Sequence, residues 1–450
     1  MNMTTSTMGR WAYFWQGFLL MALKYNLDRA IAWWEFHRSW HFWNYVVPHG
    51  STPLASVFQE EWRFYLILLL ISVPFLAVGI WLTLRRLRDA GLSPVLCLLF
   101  FIPVINVVFF VLLSLIPSRT ADEGKGVPAS GGWGRFIPDS ALGSALASTF
   151  LVGPVGFGLA LAGTTLFHDY GWGLFVGLPF AMGLAAVLIY AWRRPRSLAS
   201  SLGVALLPIV FIGICFFASA VEGLVCLLMA LPIGGVLALL GGLVGSAIAR
   251  ARLAGLPPGT VVLLFVSIPF LMGMERQADV KPPLLSIASS VVIDAPPEKV
   301  WPNLIAFSPI PPEREWILRT GIAYPTRAVI VGHGVGAVRH CIFSTGEFVE
   351  PIEVWDEPRL LRFSVTAQPE PMEELSPYGH IDTPHLHGYF LSREGELRLV
   401  PLPGGKTRLE GTTWYTNNAW PNAYWCVWSD FLIHHIHLRV LNHIKAVSES

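Results

Sequence analysis

Hydrophobic and polar positions change their rhythm at one joint, Met274–Ser290, which reads MERQADVKPPLLSIASS. Upstream, apolar residues come in long runs with almost no charge. A helix needs about 20 such residues to cross a bilayer. Phe64–Leu84 meets that length despite Pro74, and Ala141–Phe167, Gly171–Trp192, Leu202–Ala218 and Gly223–Ala249 follow it. Gly259–Met274 is a shorter last span. Pro94–Pro117 is apolar but broken at Pro103 and Asn106, so it reads either as a hairpin or as one straight span. Trp11–Tyr25 is short for a span, and its Trp and Tyr suit the membrane interface. Arg29–Val47, rich in Trp, Phe and His, reads as a segment at the membrane surface or as a cap on the bundle. Ser118–Ser140 is a polar, Gly-rich linker, and His168–Tyr170 is a short turn between spans. Gly234, Gly235, Gly241, Gly242 and Gly245 give one run a small face, which lets helix backbones approach in lipid.

Downstream, the period shortens to two. Strand-like runs occur at Ser286–Asp294, Arg327–Val331, Ala337–Ser344, Glu347–Trp355, Leu360–Ala367, Gly388–Leu391 with Glu396–Pro401, and Thr407–Thr416. Turn residues separate them, as in Gly332-His333-Gly334, Asp356-Glu357-Pro358 and Pro403-Gly404-Gly405. Pro297 suits the first turn of a short helix running to Ile305. A helix of about 25 residues, Asn422–Val447, closes the chain. The expected fold is multi-domain: an all-α polytopic membrane bundle, then an α+β domain in which an antiparallel sheet surrounds the long C-terminal helix. The expected boundaries are 1–130 and 131–275 for two parts of the membrane region, and 284–450 for the last domain.

Composition sharpens this division. The charged fraction is 14% and the hydrophobic fraction 53% over the whole chain, with 18 Trp and 28 Phe. Residues 281–450 hold 14 Lys/Arg and 18 Asp/Glu, whereas the first 280 hold 17 and 12. The near-neutral total and the lack of a basic stripe argue against a nucleic-acid partner. The five Cys are scattered without a CxxC, so no disulfide framework is expected. The basic clusters Arg85/Arg86/Arg88, Arg193/Arg194/Arg196 and Arg250/Arg252 share one side if residues 94–117 form a hairpin. Basic loops stay cytoplasmic, so the C-terminal domain is then expected outside the cytoplasm of a bacterial inner membrane.

Two resemblances follow from particular residues. Gly9-Arg10 and Arg86-Leu87-Arg88-Asp89-Ala90-Gly91-Leu92-Ser93 resemble the domain of unknown function 805, whose loop reads Arg-Leu-His-Asp-x-Gly-x-Ser. Here Arg88 replaces the His, and the family's Asn-Arg-Phe-Gly ending is not evident. That family implies a membrane domain and no activity. The opening IDAPPEKVWPNL (Ile293–Leu304), the turn Trp355–Pro358, the strand TRLEGTTWY (Thr407–Tyr415) and the long last helix resemble the START-like (SRPBCC, polyketide cyclase-like) superfamily. The resemblance implies a helix-grip fold with a cavity between sheet and helix, used for apolar molecules. It implies no shared catalytic residues.

Strand alternation nominates the lining. Phe348, Glu350, Ile352 and Val354 share one face, as do Val338, His340 and Ile342. Leu361, Phe363 and Val365 point inward opposite Arg362, and Leu397 and Leu399 opposite Arg398. Leu409, Gly411, Thr413 and Tyr415 form another inward set. The candidate ligand-binding residues are therefore His340, Glu350, Tyr389, Thr413, Tyr415 and His434. A buried carboxylate is costly unless paired, so Glu350 either meets a ligand or pairs with a nearby Arg or His. His434 and His437 share a helix face, but nothing fixes a third ligand from another element, so no metal site is expected. Asp430 and His434 stand at i and i+4 and can pair on the helix surface. Gly332–Gly336 lies between strands, so a dinucleotide reading fails and no cofactor is expected. Glu222 reads as a solvated turn residue, and ionisable residues inside the spans are too scarce for a transporter.

The expectation is a membrane-anchored protein, partnered by the bilayer, that binds a hydrophobic or amphipathic small molecule. A cyclase or aromatase-like enzyme using His340, Glu350 or Tyr415 is the alternative, and a structural or assembly protein with a closed interior is another.

Overall fold

The computed structural model describes residues 8–37, 39–41, 62–90, 92, 94–101, 105–116, 118, 137–167, 170–251, 259–278, 280–311, 316–378, 381 and 383–450. The chain forms two compact units: Met1–Ala218 with Ala230–Val280, and Ser219–Met229 with Lys281–Ser450.

The first unit is helical: α1 (Arg10–Phe36), α2 (Trp62–Asp89), a 3-10 segment Pro94–Phe101, α3 (Ile105–Leu115), α4 (Ala141–Thr165), a π turn Gly173–Gly177 leading into α5 (Leu178–Tyr190), and α6 (Leu198–Ala218). It also holds most of α7 (Leu224–Arg250), and α8 (Gly259–Ala278). Among the described residues, five helices are long and apolar enough to cross a membrane: Leu66–Asp89, Ala141–Thr165, Gly173–Tyr190, Leu198–Ala218 and Leu224–Arg250. Their outer faces carry exposed apolar side chains such as Leu69, Phe150 and Ile214, which suit lipid better than water.

One helix departs from the expected plan. α1 is continuous across Trp11–Tyr25 and the first part of Arg29–Val47, which the sequence pattern kept apart. The polar interruption closes on itself, because Lys24 pairs with Asp28 one turn later and both are buried. Within the stretch 94–117 the described residues form a 3-10 segment, Pro94–Phe101, and a helix, Ile105–Leu115. The bend at Pro103 lies outside the described residues, as do Gly91 and Ser93 of the loop motif, residues 42–47, linker residues 119–136, residues 168 and 169 of the short turn, and Arg252.

The glycine pattern has a structural consequence. A Cβ at Gly183 would meet the Ala238 carbonyl, and one at Gly241 would meet the Phe180 carbonyl, so α5 and α7 touch backbone to backbone. Gly242 and Gly245 are also crowded, whereas Gly234 and Gly235 have only ordinary contacts. The motif arginine Arg86 is fully buried at the end of α2. It donates to the carbonyls of Leu113 (2.9 Å) and Ile116, at the C-terminal end of α3, and to Asp89 (2.5 Å). Carbonyls at a helix end lack intrahelical donors, and Arg86 supplies them.

The second unit is an antiparallel seven-stranded sheet in the order β1-β7-β6-β5-β4-β3-β2. Its strands are β1 (Leu285–Ile293), β2 (Pro325–Val331), β3 (Val338–Phe343), β4 (Gly346–Asp356), β5 (Leu360–Ser364), β6 (Phe390–Leu402) and β7 (Lys406–Asn417). Helix α9 (Pro297–Ile305) follows β1, and α10 (Asn422–Glu449) closes the chain. The two strand pieces expected at 388–401 are one strand, with a register shift between Ser392 and Glu394 where the alternation breaks. The curled sheet with its closing helix is the helix-grip arrangement. One end of the interior is solid: Ile293, Val300, Trp301, Leu304, Leu399 and Leu409 pack with Leu441 and Ile444 of α10.

Inward faces on β5, β6 and β7 match the alternation, with Leu361, Phe363, Leu397, Leu399, Leu409, Gly411 and Tyr415 buried. Two strands differ. On β3 the buried residues are Arg339 and Cys341, not Val338, His340 and Ile342. On β4 a register shift between Ile352 and Val354 turns Trp355 to the core, where its ring meets Trp301, in place of Val354.

Candidate functional site

The six nominated residues separate into four places. Glu350 is buried on β4 directly across from Arg339 on β3, and the two form an ion pair. The Arg339 guanidinium also lies 5.6 Å from the Phe307 ring centroid and 5.4 Å from that of Phe363. Burial alone would lower Arg339, but the facing carboxylate of Glu350 raises it above its ordinary value and keeps it charged. Glu350 thus takes the paired arrangement. His340 faces the other side of β3, part-exposed beside Glu347 at 3.4 Å, which corrects its placement inside. Tyr389 precedes β6, and its carbonyl accepts from the Asn418 amide at 2.8 Å.

Thr413, Tyr415 and His434 do come together, on the seam between β1, β7 and the first half of α10. Residues 285, 287 and 289 of β1 pair with 415, 413 and 411 of β7, so one face carries Ser289, Thr413 and Tyr415. Residues 430, 434 and 437 share the opposing face of α10. Ser289 Oγ lies 2.7 Å from His434 Nδ1 and 3.1 Å from His437 Nδ1. Thr413 Oγ1 lies 2.7 Å from His437 Nε2. The Tyr415 hydroxyl donates to Asp430 Oδ1 at 2.6 Å, which turns Asp430 towards β7, whereas its i,i+4 spacing also allowed a surface pair with His434. Burial, and next the Asp430 carboxylate, push the Tyr415 hydroxyl well above its ordinary range, so it stays protonated. Asn417 Nδ2 donates to Ser429 Oγ at 3.0 Å and ends the polar line.

Glu350 is engaged by Arg339 inside the unit, His340 lies on the other face of β3, and β5 and β6 stand between β4 and β7 in the sheet order. General acid–base work needs those groups within hydrogen-bond reach of one substrate.

Burial, then the neighbouring His434, lowers His437 to about 4. A histidine with a depressed folded pKa binds its proton more weakly than the unfolded chain does. Stability is then full above about pH 6.5 and falls as pH drops towards 4. The loss is expected to be at most about 3.5 kcal/mol, since each pKa unit is about 1.4 kcal/mol. Thermal unfolding of wild type and His437→Gln between pH 7 and 4 checks this, with a flatter profile expected for the variant.

A second polar group was not legible as a site. Glu222, expected to be solvated, is buried. Its Oε2 lies 3.3 Å from His385 Nδ1, while His385 Nε2 lies 3.1 Å from Glu374 Oε1 and 3.2 Å from Cys226 Sγ. Burial opposes charge on His385, but Cys226, Glu222 and Glu374 outweigh it and raise its pKa well above the ordinary value. Cys226 and Glu222 stand at i and i+4, the one local signal; Glu374 and His385 are remote in sequence.

Residues 5–124 match a family model described as "Protein of unknown function (DUF805)". No match is found among the curated proteins. Solved structures similar to the C-terminal part include a protein from Nitrosospira multiformis, at 20% identity and TM-score 0.23, covering 36% of this chain and 94% of that one. A truncated norcoclaurine synthase from Thalictrum flavum is 12% identical with TM-score 0.24, covering 37% and 93%. The Zhui aromatase/cyclase from a Streptomyces species is 16% identical with TM-score 0.24, covering 37% and 94%.

Proposed function

We propose that this chain is a membrane-anchored binding protein whose helix-grip unit holds an apolar or amphipathic small molecule, such as a lipid, against the partly buried seam where the β1/β7 face meets the first half of α10. One observation supports this reading above the others. At the Ile293 end Ile293, Leu409, Leu441 and Ile444 are fully buried, whereas towards the other end Leu285, Ile287, Thr413, His434 and His437 remain only partly buried around the buried Ser289 and Tyr415. Apolar side chains beside oriented hydroxyl and imidazole groups make a surface with a greasy wall and a few polar anchors, the usual composition of a small-molecule site. The five apolar helices supply the anchor. The Lys/Arg loops support a bacterial inner membrane with the C-terminal unit on the extracytoplasmic side; a reporter fused after Ser450 should be inactive if it requires the cytoplasm.

The full chain, purified from membranes in mild detergent and extracted, should release a recurring amphipathic species by mass spectrometry. Ile287→Trp fills the seam from β1 and is expected to lower that yield at least tenfold while the thermal midpoint stays near wild type. Equal yields from both proteins would refute the reading, and a stable chain that never carries a ligand would favour a closed structural role.

A further inference from the structure

We propose that Cys226, Glu374 and His385 bind one divalent cation of the zinc class, with Glu222 holding the imidazole in place from its other nitrogen. All four residues lie in the second unit. Each offers one donor atom, and these atoms lie within 4.8 Å of one another. The three direct ligands would be His385 Nε2, Cys226 Sγ and a Glu374 oxygen, with Nε2 3.2 Å from Sγ and 3.1 Å from Oε1. Tetrahedral zinc with bonds of about 2.0–2.3 Å places its donors roughly 3.3–3.7 Å apart, so His385 Nε2 has to draw back only by a few tenths of an ångström from Sγ and Oε1 to admit an ion.

The carboxylate of Glu374 is the independent observation. Its side chain has no solvent exposure, and neither oxygen receives a hydrogen bond among the described residues. His385 approaches Oε1 closely but out of line. A buried carboxylate in that condition is costly, and a cation between it, the thiol and the imidazole removes the cost. Thiolate, imidazole and carboxylate together are zinc's ligand set. Glu222 Oε2 stands 3.3 Å from Nδ1, close enough to complete a carboxylate–histidine–metal relay that would fix ring orientation once an ion is bound.

The surroundings hold the donors there. A Cβ at Gly223 would collide with the Glu374 carboxylate, so the chain beside Glu222 must be glycine to admit it. The Leu224 amide donates to the Leu375 carbonyl at 3.0 Å and ties the segment to the loop bearing Glu374. Ile317, Leu318, Ile322, Met372 and Leu386 form an apolar cluster against Cys226. Such a shell keeps water from competing for the ligands.

The test uses the full chain in detergent, purified without chelator. Elemental analysis should find about one zinc per chain. After stripping, Co²⁺ alone should produce a thiolate-to-cobalt charge-transfer band in the wild type. Cys226→Ser should lack that band, and Glu374→Gln and His385→Ala should lose stoichiometric metal. Glu222→Gln should keep the band with affinity weakened about 10–100-fold, as for removal of an outer partner. A monodisperse wild type that purifies free of metal and gives no cobalt band overturns the proposal and leaves a protonated His385 between two carboxylates. That reading of the wild type does not depend on any variant folding, nor on ligand binding at the seam.

Discussion

Glu350→Ala is expected to destabilise the second unit by about 3–5 kcal/mol, the usual cost of removing one partner of a buried ion pair. Arg339 and Glu350 are both buried, and the guanidinium is boxed between Phe307 and Phe363. Without the carboxylate, Arg339 keeps its charge with no counter-ion in an apolar setting. Replacing both together, Arg339→Met with Glu350→Leu, should recover most of the loss, because the pair's attraction roughly offsets its desolvation. Thermal unfolding of the purified full chain separates the two variants. The prediction also distinguishes a structural Glu350 from a ligand contact. A ligand role would lower ligand recovery in Glu350→Gln while leaving the unliganded chain's stability unchanged.

That pair shows why part of the site could be read from sequence and part could not. Alternation treats a charged residue as outward, so Arg339 on β3 made Val338, His340 and Ile342 the apparent inner face. The pattern inverted because the charge was neutralised across the sheet, and the register that sets Arg339 opposite Glu350 joins two strands through a turn of unknown phase. On β4 one shift between Ile352 and Val354 exchanged Val354 for Trp355. β5 and β7 have no such interruption, so Leu361, Phe363, Leu409, Thr413 and Tyr415 were legible directly. The shared face of His434 and His437 was also legible from spacing, but not Ser289, their partner from the opposite end of the domain. The Glu222 cluster had least local signal. Its members are drawn from a helix start and two loops, and only folding brings them together.

Arg86→Ala should cost the membrane unit about 3–5 kcal/mol and lower its detergent thermal midpoint sharply. The change strands two α3 carbonyls and the Asp89 carboxylate, which also accepts from Ser118 at 2.5 Å. Each unsatisfied buried group costs about 1–3 kcal/mol. Arg86→Lys should recover little, since an ammonium cannot span two carbonyls and a carboxylate with the fixed fork of a guanidinium. Full recovery by lysine would mean that charge, not geometry, holds this end of α3. The sequence motif thereby acquires a physical role: Arg86 closes a helix end, and Asp89 orients Arg86.

A hydrophobic or amphipathic molecule held against the seam of the β1/β7 face and the first half of α10 should be trapped there by a reactive analogue. The most direct measurement is photo-crosslinking of the full chain, in native membranes, with a photoactivatable fatty-acyl phospholipid, followed by peptide mapping of the adducts. Adducts should concentrate on the inward residues within 285–291, 411–415 and 430–437. Adducts confined to the outer faces of α1–α8, with those three segments unlabelled, would contradict it.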